Sequence, residues 1–113
     1  MITRAEGVTI ETRKIMNGPG GPVLAHYFTR EQMSEKARLC AVITLAPGAG
    51  VGQHSHNPDA EIYYILEGEL AVNDNGVETV MKPGDAMWTA NGHFHSAENR
   101  TDKDVKMLAV VIL

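Results

Sequence analysis

The chain is poor in several kinds of residue, and each shortage closes off a class of function. One cysteine, Cys40, stands among 113 residues, so no disulfide can form within the chain and a reducing compartment suits it. In "RLCAVITL" that thiol has only Arg38 as a nearby cation, which reads as a buried structural cysteine rather than an activated nucleophile. Ten Lys and Arg face fourteen Asp and Glu, for a net charge of -4, and no basic run occurs. A nucleic-acid partner is therefore not expected. No apolar stretch approaches the length that spans a bilayer, and "MITRAEGVTIETRK" lacks the apolar core of a secretory signal. The expectation is a cytoplasmic chain without a membrane partner.

Glycine-rich stretches exist, but they lack the context that would make them phosphate cradles. "NGPGGP" at Asn17 to Pro22 is followed by no helix and no suitably spaced lysine, so it reads as a loop. Gly48, Gly50 and Gly52 miss the dinucleotide fingerprint for the same want of a helix. Asn99-Arg100-Thr101 matches a glycosylation sequon that a cytoplasmic chain would leave unused.

What is present is ordinary in bulk, at 43% hydrophobic and 21% charged residues, and sufficient for one domain over residues 1–113. Short β-type runs recur: "VTIETRKI", "GPVLAHYF", "LCAVITL", "EIYYIL", "ELAVND", "VETVM", "DAMWTA" and "KMLAVVIL". Turn chemistry separates them. "NDNG" at Asn73 to Gly76 suits a hairpin, "KPGD" at Lys82 to Asp85 a tight turn, and "APGAGVG" a longer loop. One short helix is predicted at Thr29 to Lys36, with Thr29 and Gln32 forming a capping box and Phe28 and Met33 a hydrophobic staple. The pattern predicts an all-β barrel or sandwich with one short helix.

Four of the five histidines fall in two clusters, "HSHNPDAE" and "GHFHSAEN". On a strand His54 and His56 point to one side, and Glu61, Tyr63 and Ile65 share a face of the next. The intervening "NPDA" is a natural turn, predicted to bring the strand that starts at Glu61 back alongside the first. Two imidazoles and a carboxylate then converge, a donor set that suits Fe(II) and related divalent ions. The second cluster offers His93 and His95, again at period-two spacing. The competing reading is a polar surface strand with solvated histidines. His26, alone in "LAHYF", reads as structural or pocket-lining.

These residues carry a resemblance to the cupin superfamily, small β-barrels with two short metal motifs. The first motif, G, five residues, HxH, three or four residues, E, six residues, G, is matched by Gly48, His54, His56, Glu61 and Gly68 within residues 48–68. The second, G, five residues, PxG, two residues, H, three residues, N, is matched within 84–99 by Gly84, Gly92, His95 and Asn99. Ala90 replaces its proline, a loop-shaping residue and not a ligand. The resemblance covers nearly the whole chain. It implies a double-stranded β-helix (jelly-roll) barrel with His54, His56, Glu61 and His95 as ligands of a divalent metal: Mn, Fe, Zn, Ni, Co or Cu. Two positions of an octahedral ion would stay open to a small-molecule substrate. It also implies a homodimer, through N-terminal strands such as "VTIETRKI".

Tyr63 and His93 are the candidate catalytic residues. Tyr63 beside Glu61 either handles a proton or packs with its hydroxyl satisfied. His93 either orients a ligand or lies at the mouth of the barrel. Met87 and Trp88 alternate, so one of them faces the cavity. Asp59 reads as a turn residue near the mouth, and Gln53 as pointing away. The predicted function is an enzyme acting on a small oxygenated molecule as dioxygenase, isomerase, lyase or decarboxylase; the alternative is a non-catalytic, metal-dependent carbohydrate or small-molecule binding module. Members resembling oxalate decarboxylase usually carry two barrels and a lid glutamate, and a single barrel argues against that activity.

Overall fold

The computed structural model describes every residue from Met1 to Leu113. Its strands are β1 Thr9–Thr12, β2 Val23–His26, β3 Ala37–Leu45, β4 Gly50–Ser55, β5 Ala60–Glu67, β6 Leu70–Asp74, β7 Val77–Met81, β8 Ala86–Thr89, β9 Phe94–Glu98 and β10 Val105–Ile112. They form a six-stranded sheet in the order β1-β2-β3-β10-β5-β8 and a four-stranded sheet in the order β4-β9-β6-β7. Both sheets are antiparallel and bury one face in a shared core. The architecture is the double-stranded β-helix barrel that the motifs predict. No helix is long and apolar enough to cross a membrane.

Period-two burial builds that core. Val105, Met107, Ala109 and Val111 of β10 point inward and alternate with more exposed neighbours. On the adjacent β3, Leu45, Ile43 and Ala41 stand opposite Val105, Met107 and Ala109 in register. Each large aliphatic side chain buried there contributes about 1.5–3 kcal/mol. The β6–β7 hairpin closes through Asn75 and Gly76, both at positive φ (48° and 97°), as a two-residue turn of its handedness requires. Pro83 and Gly84 (φ 93°) turn β7 toward β8, with Asp85 N–H donating to the Lys82 carbonyl at 2.9 Å.

The structure corrects three expectations. Residues 29–36 are a capped turn and not a helix; the helical element is a 3-10 turn at Ala5–Gly7. The capping box does form: Thr29 N–H donates to Gln32 Oε1 at 2.9 Å and Gln32 N–H to Thr29 Oγ1 at 3.1 Å. Ser34 and Glu35 then take φ of 56° and 61°, which ends the turn so that buried Ala37 can open β3. Sheet pairing overrides the local helical signal.

Second, part of the supposed loop "APGAGVG" is strand, since β4 already begins at Gly50. Third, β5 does not return alongside β4. The turn at Asn57 to Asp59 crosses between sheets, so β4 pairs with β9 while β5 lies between β10 and β8. His54, His56 and Glu61 therefore meet across the barrel interior rather than along one sheet.

Candidate metal centre

Three structural elements aim four side chains at one point. His54 lies on β4 directly opposite His95 of β9. A register shift between Val51 and His54 sets that pairing, and such a bulge re-aims the side chains that follow it. His56 sits just past β4, held by its N–H to the His93 carbonyl (3.1 Å) and by its own carbonyl to Gly92 N–H (2.9 Å). Glu61 enters from β5. His56, Glu61 and His95 are 2%, 4% and 1% exposed, which only a paired or metal-bound charge cluster tolerates.

One ligand atom from each of the four lies within 4.8 Å of those of the other three. Glu61 Oε1 is 3.1 Å from His56 Nε2, 3.0 Å from His95 Nε2 and 3.7 Å from His54 Nε2. The Nε2 atoms of His54 and His95 are themselves 3.0 Å apart. Two nitrogens bound at about 2.1 Å to one ion, at right angles, stand about 3.0 Å apart, so these spacings suit a shared cation. The burial pattern agrees: both ring nitrogens of His56 and Glu61 Oε1 are buried without hydrogen-bond partners, and of these His56 Nε2 and Glu61 Oε1 face the cluster. Such orphans are costly unless an ion satisfies them. Three imidazoles and a carboxylate, with no thiolate, suit Mn, Fe, Co, Ni, Cu or Zn.

The opposite edges of two of the three rings are hydrogen-bonded. His54 Nδ1 is 2.8 Å from the Gly52 carbonyl, and His95 Nδ1 is 2.9 Å from Thr89 Oγ1. His56 Nδ1 lies 3.2 Å from Asp59 Oδ2, a charge contact out of line for a well-formed hydrogen bond. The Gly52 carbonyl can only accept, so the proton sits on His54 Nδ1 and His54 Nε2 carries the lone pair that faces the cluster, while the Thr89 hydroxyl can donate to or accept from His95. Thr89 and Gly52 are parts of the site that sequence reasoning missed. Thr89 stands opposite Glu61 on β8, and only the fold brings it within reach of His95 in the other sheet.

Electrostatics follow from this crowding. Burial pushes the Glu61 carboxyl up, but the imidazoles of His54, His56 and His95 crowded against it outweigh that and hold the group well below the usual carboxylate range. Glu61 in turn raises His56 against the opposing effect of burial. For His95 burial dominates and pulls the imidazole down, favouring the neutral, metal-binding form. The Tyr63 phenol is pushed well up by burial and by the neighbouring Glu61 carboxylate, which keeps it protonated.

Tyr63 faces inward as predicted, stacked on His95 with ring centroids 4.8 Å apart. A cavity of about 120 Å³ opens beside His54, His56, Glu61 and Tyr63. The His93 side chain is exposed in the turn before β9, and the gathered group does not include it. Its contribution here is the backbone carbonyl that holds His56. Met87 points into the core and Trp88 outward at 56% exposure. Gln53 is exposed, and His26 pairs with Glu11 at 2.9 Å, away from the cluster. Asp59 does more than turn the chain: besides His56 it meets Arg38 Nη2 at 2.9 Å. Cys40 is half-buried, its thiol pushed up by burial.

Comparison with known proteins agrees with this geometry. An oxalate-binding protein of Thermotoga maritima is 44% identical over 114 aligned residues, covering 100% of this chain and 94% of the relative. A crystal structure described as a predicted oxalate decarboxylase from the same species superposes with a TM-score of 0.94 at 42% identity, covering 100% of this chain and 99% of that one. A sugar phosphate isomerase of the cupin superfamily from Silicibacter pomeroyi gives 0.74 at 26% identity, covering 93% and 72%. The family profile described as Cupin domain matches residues 41–111, a span that holds all four converging side chains. By its sequence, its barrel and its histidine–glutamate cluster, the chain belongs to the cupin family.

Proposed function

We propose that the chain, acting as a single domain over residues 1–113, holds one divalent metal through His54, His56, Glu61 and His95. Beside that metal it binds a small oxygenated molecule. The observation that carries this reading is the pair of orphaned, buried atoms, His56 Nε2 and Glu61 Oε1, aimed at one point. When bound, the metal supplies a Lewis-acid centre at which ligand oxygens can be held. The protein's own residues do the rest. Glu61 offsets part of the ion's charge, the Nδ1 partners fix the imidazoles, and the cavity's aliphatic walls keep bulk water away from the ligand.

The Thermotoga relative makes oxalate the first probe. Calorimetric titration of oxalate into metal-loaded and chelator-stripped protein tests the reading. Binding only to the loaded form supports it; equal binding to both forms, or to neither, refutes it.

Turnover is the second reading, favoured by Tyr63: a protonated phenol, buried beside Glu61 and stacked on His95. In this reading the Tyr63 phenol stays protonated and donates a hydrogen bond to the bound molecule, while exposed His93 acts only through its backbone. Screening small oxygenated acids with an oxygen electrode and by chromatography of the products, in wild type and Y63F, separates the two readings. Turnover lost in Y63F at unchanged metal content supports catalysis, and no turnover with any acid supports a binding module. We also propose a homodimer through β1, an edge strand whose four residues are all exposed, Ile10 by 60%. A monomer in sedimentation velocity would refute that.

A further inference from the structure

The cavity beside the cluster has an uneven wall. Apart from His54, His56 and Glu61, its charged side chains are Arg13 and Arg38, and aliphatic residues such as Leu24, Ile43 and Val111 supply most of the remainder. Arg38 Nη2 donates to Asp59 Oδ2 at 2.9 Å, and Arg13 Nε donates to Glu11 Oε1 at 3.0 Å. A guanidinium offers five N–H donors, so each arginine keeps most of its fork free. Arg38 is the better anchored. Arg38 is itself 41% exposed, but its partner Asp59 is only 19% exposed and also touches His56, whereas Arg13 and Glu11 are both 45% exposed.

We infer, resting on the reading above, that Arg38, assisted by Arg13, determines specificity for ligands that carry a second anionic group. The ligand class is then the small dicarboxylates. Charge counting supports this. Three neutral imidazoles and one carboxylate around a divalent ion leave one positive charge, which a single ligand carboxylate neutralises. A ligand held at the ion through one carboxylate would leave the second against the aliphatic wall, short of hydrogen-bond donors. Arg38 supplies those donors: Asp59 already balances its charge and takes Nη2, and the rest of the planar fork matches a carboxylate. A cavity of about 120 Å³ is close in size to one that admits a benzene-sized ligand, which suits a compact diacid.

The test uses metal-loaded full-length protein and two probes of like shape: oxalate, and oxamate, in which a neutral amide replaces one carboxylate. Wild type is expected to prefer oxalate by about tenfold or more. R38Q should lower oxalate affinity more than oxamate affinity, erasing most of that preference, with metal content as in wild type. R38K should restore part of it. An unchanged preference in both R38Q and the R13Q/R38Q double variant overturns the inference. So does loss of metal from R38Q, which would make Arg38 a support for the ligand-bearing turn. If metal-loaded wild type binds neither probe, the metal-and-ligand reading itself falls; if it binds both equally, only the inference does.

Discussion

His54 and His95 face each other across the β4–β9 pair with their Nε2 atoms 3.0 Å apart, while their Nδ1 atoms are turned to the Gly52 carbonyl and Thr89 Oγ1. Two neutral imidazoles cannot both present lone pairs at that separation without repulsion unless a proton or a cation lies between them. Without a metal the pair can share one N–H···N hydrogen bond, and around an ion both lone pairs can face it.

Thr89 should matter beyond its size. T89V keeps the side chain's volume and removes the partner of His95 Nδ1. Loss of such a contact should weaken metal binding by about 10- to 100-fold. Competition against a chromogenic chelator measures this, and circular dichroism should show an intact barrel.

Chelation should destabilise the barrel. A ligand present at 100 times its dissociation constant adds about 2.7 kcal/mol of stability to a fold that alone binds it. For a domain of this size that corresponds to roughly 10 °C in melting temperature. Differential scanning calorimetry with and without a chelator checks it, and coincident transitions would argue that no metal is held.

The pH dependence has a definite sign. Metal-free His56 has its pKa raised above the ordinary 6.5 by Glu61, so its protonation favours the folded metal-free chain below pH 6.5 and that contribution fades as pH rises through the raised value. The same proton competes with metal. Affinity should therefore fall as pH drops from about 8 to about 6, with protons released on binding, and the chelator-induced loss of stability should be larger at the higher pH. Glu61, held well below its ordinary 4.5, should stay ionised throughout that window.

Gly52 joins the N-terminal segment to the site. A Cβ there would collide with the Met16 carbonyl, beside the parallel bridge of Ile15 to Val51, and the Gly52 carbonyl is the partner of His54 Nδ1. G52A should cost about 2 kcal/mol or more in urea unfolding and weaken metal binding as well. Wild-type values for both would show that the segment yields easily.

Much of this was legible in the sequence because the chemistry sits in short, regularly spaced motifs. The period-two pattern of "EIYYIL" places Glu61, Tyr63 and Ile65 on one inward face, and they lie there. The turns at Asn75–Gly76 and Pro83–Gly84 announce themselves through residues that accept positive φ. What escaped reading depends on distant pairing. Nothing local tells Thr29–Lys36 that β3 must open at Ala37, so a sound capping box predicts a helix that never extends. Nothing near Glu61 says that its strand joins the opposite sheet from β4. Thr89 and Gly52, whose roles need both sheets assembled, carry no spacing signature at all. The buried amide of Asn99 is another such case. It donates to the Leu45 and Lys103 carbonyls at 2.8 and 2.7 Å, a loop clamp where the sequence shows only the last position of a motif and a sequon.

The most direct test is metal content. Protein stripped with a chelator, dialysed against a mixture of divalent ions and then against metal-free buffer, is assayed by elemental analysis alongside E61Q and H95A. The account predicts one bound ion per wild-type chain and a clear deficit in both variants, each still folded by circular dichroism. A wild-type chain that keeps no ion under those conditions, or variants that keep as much as wild type, would contradict it.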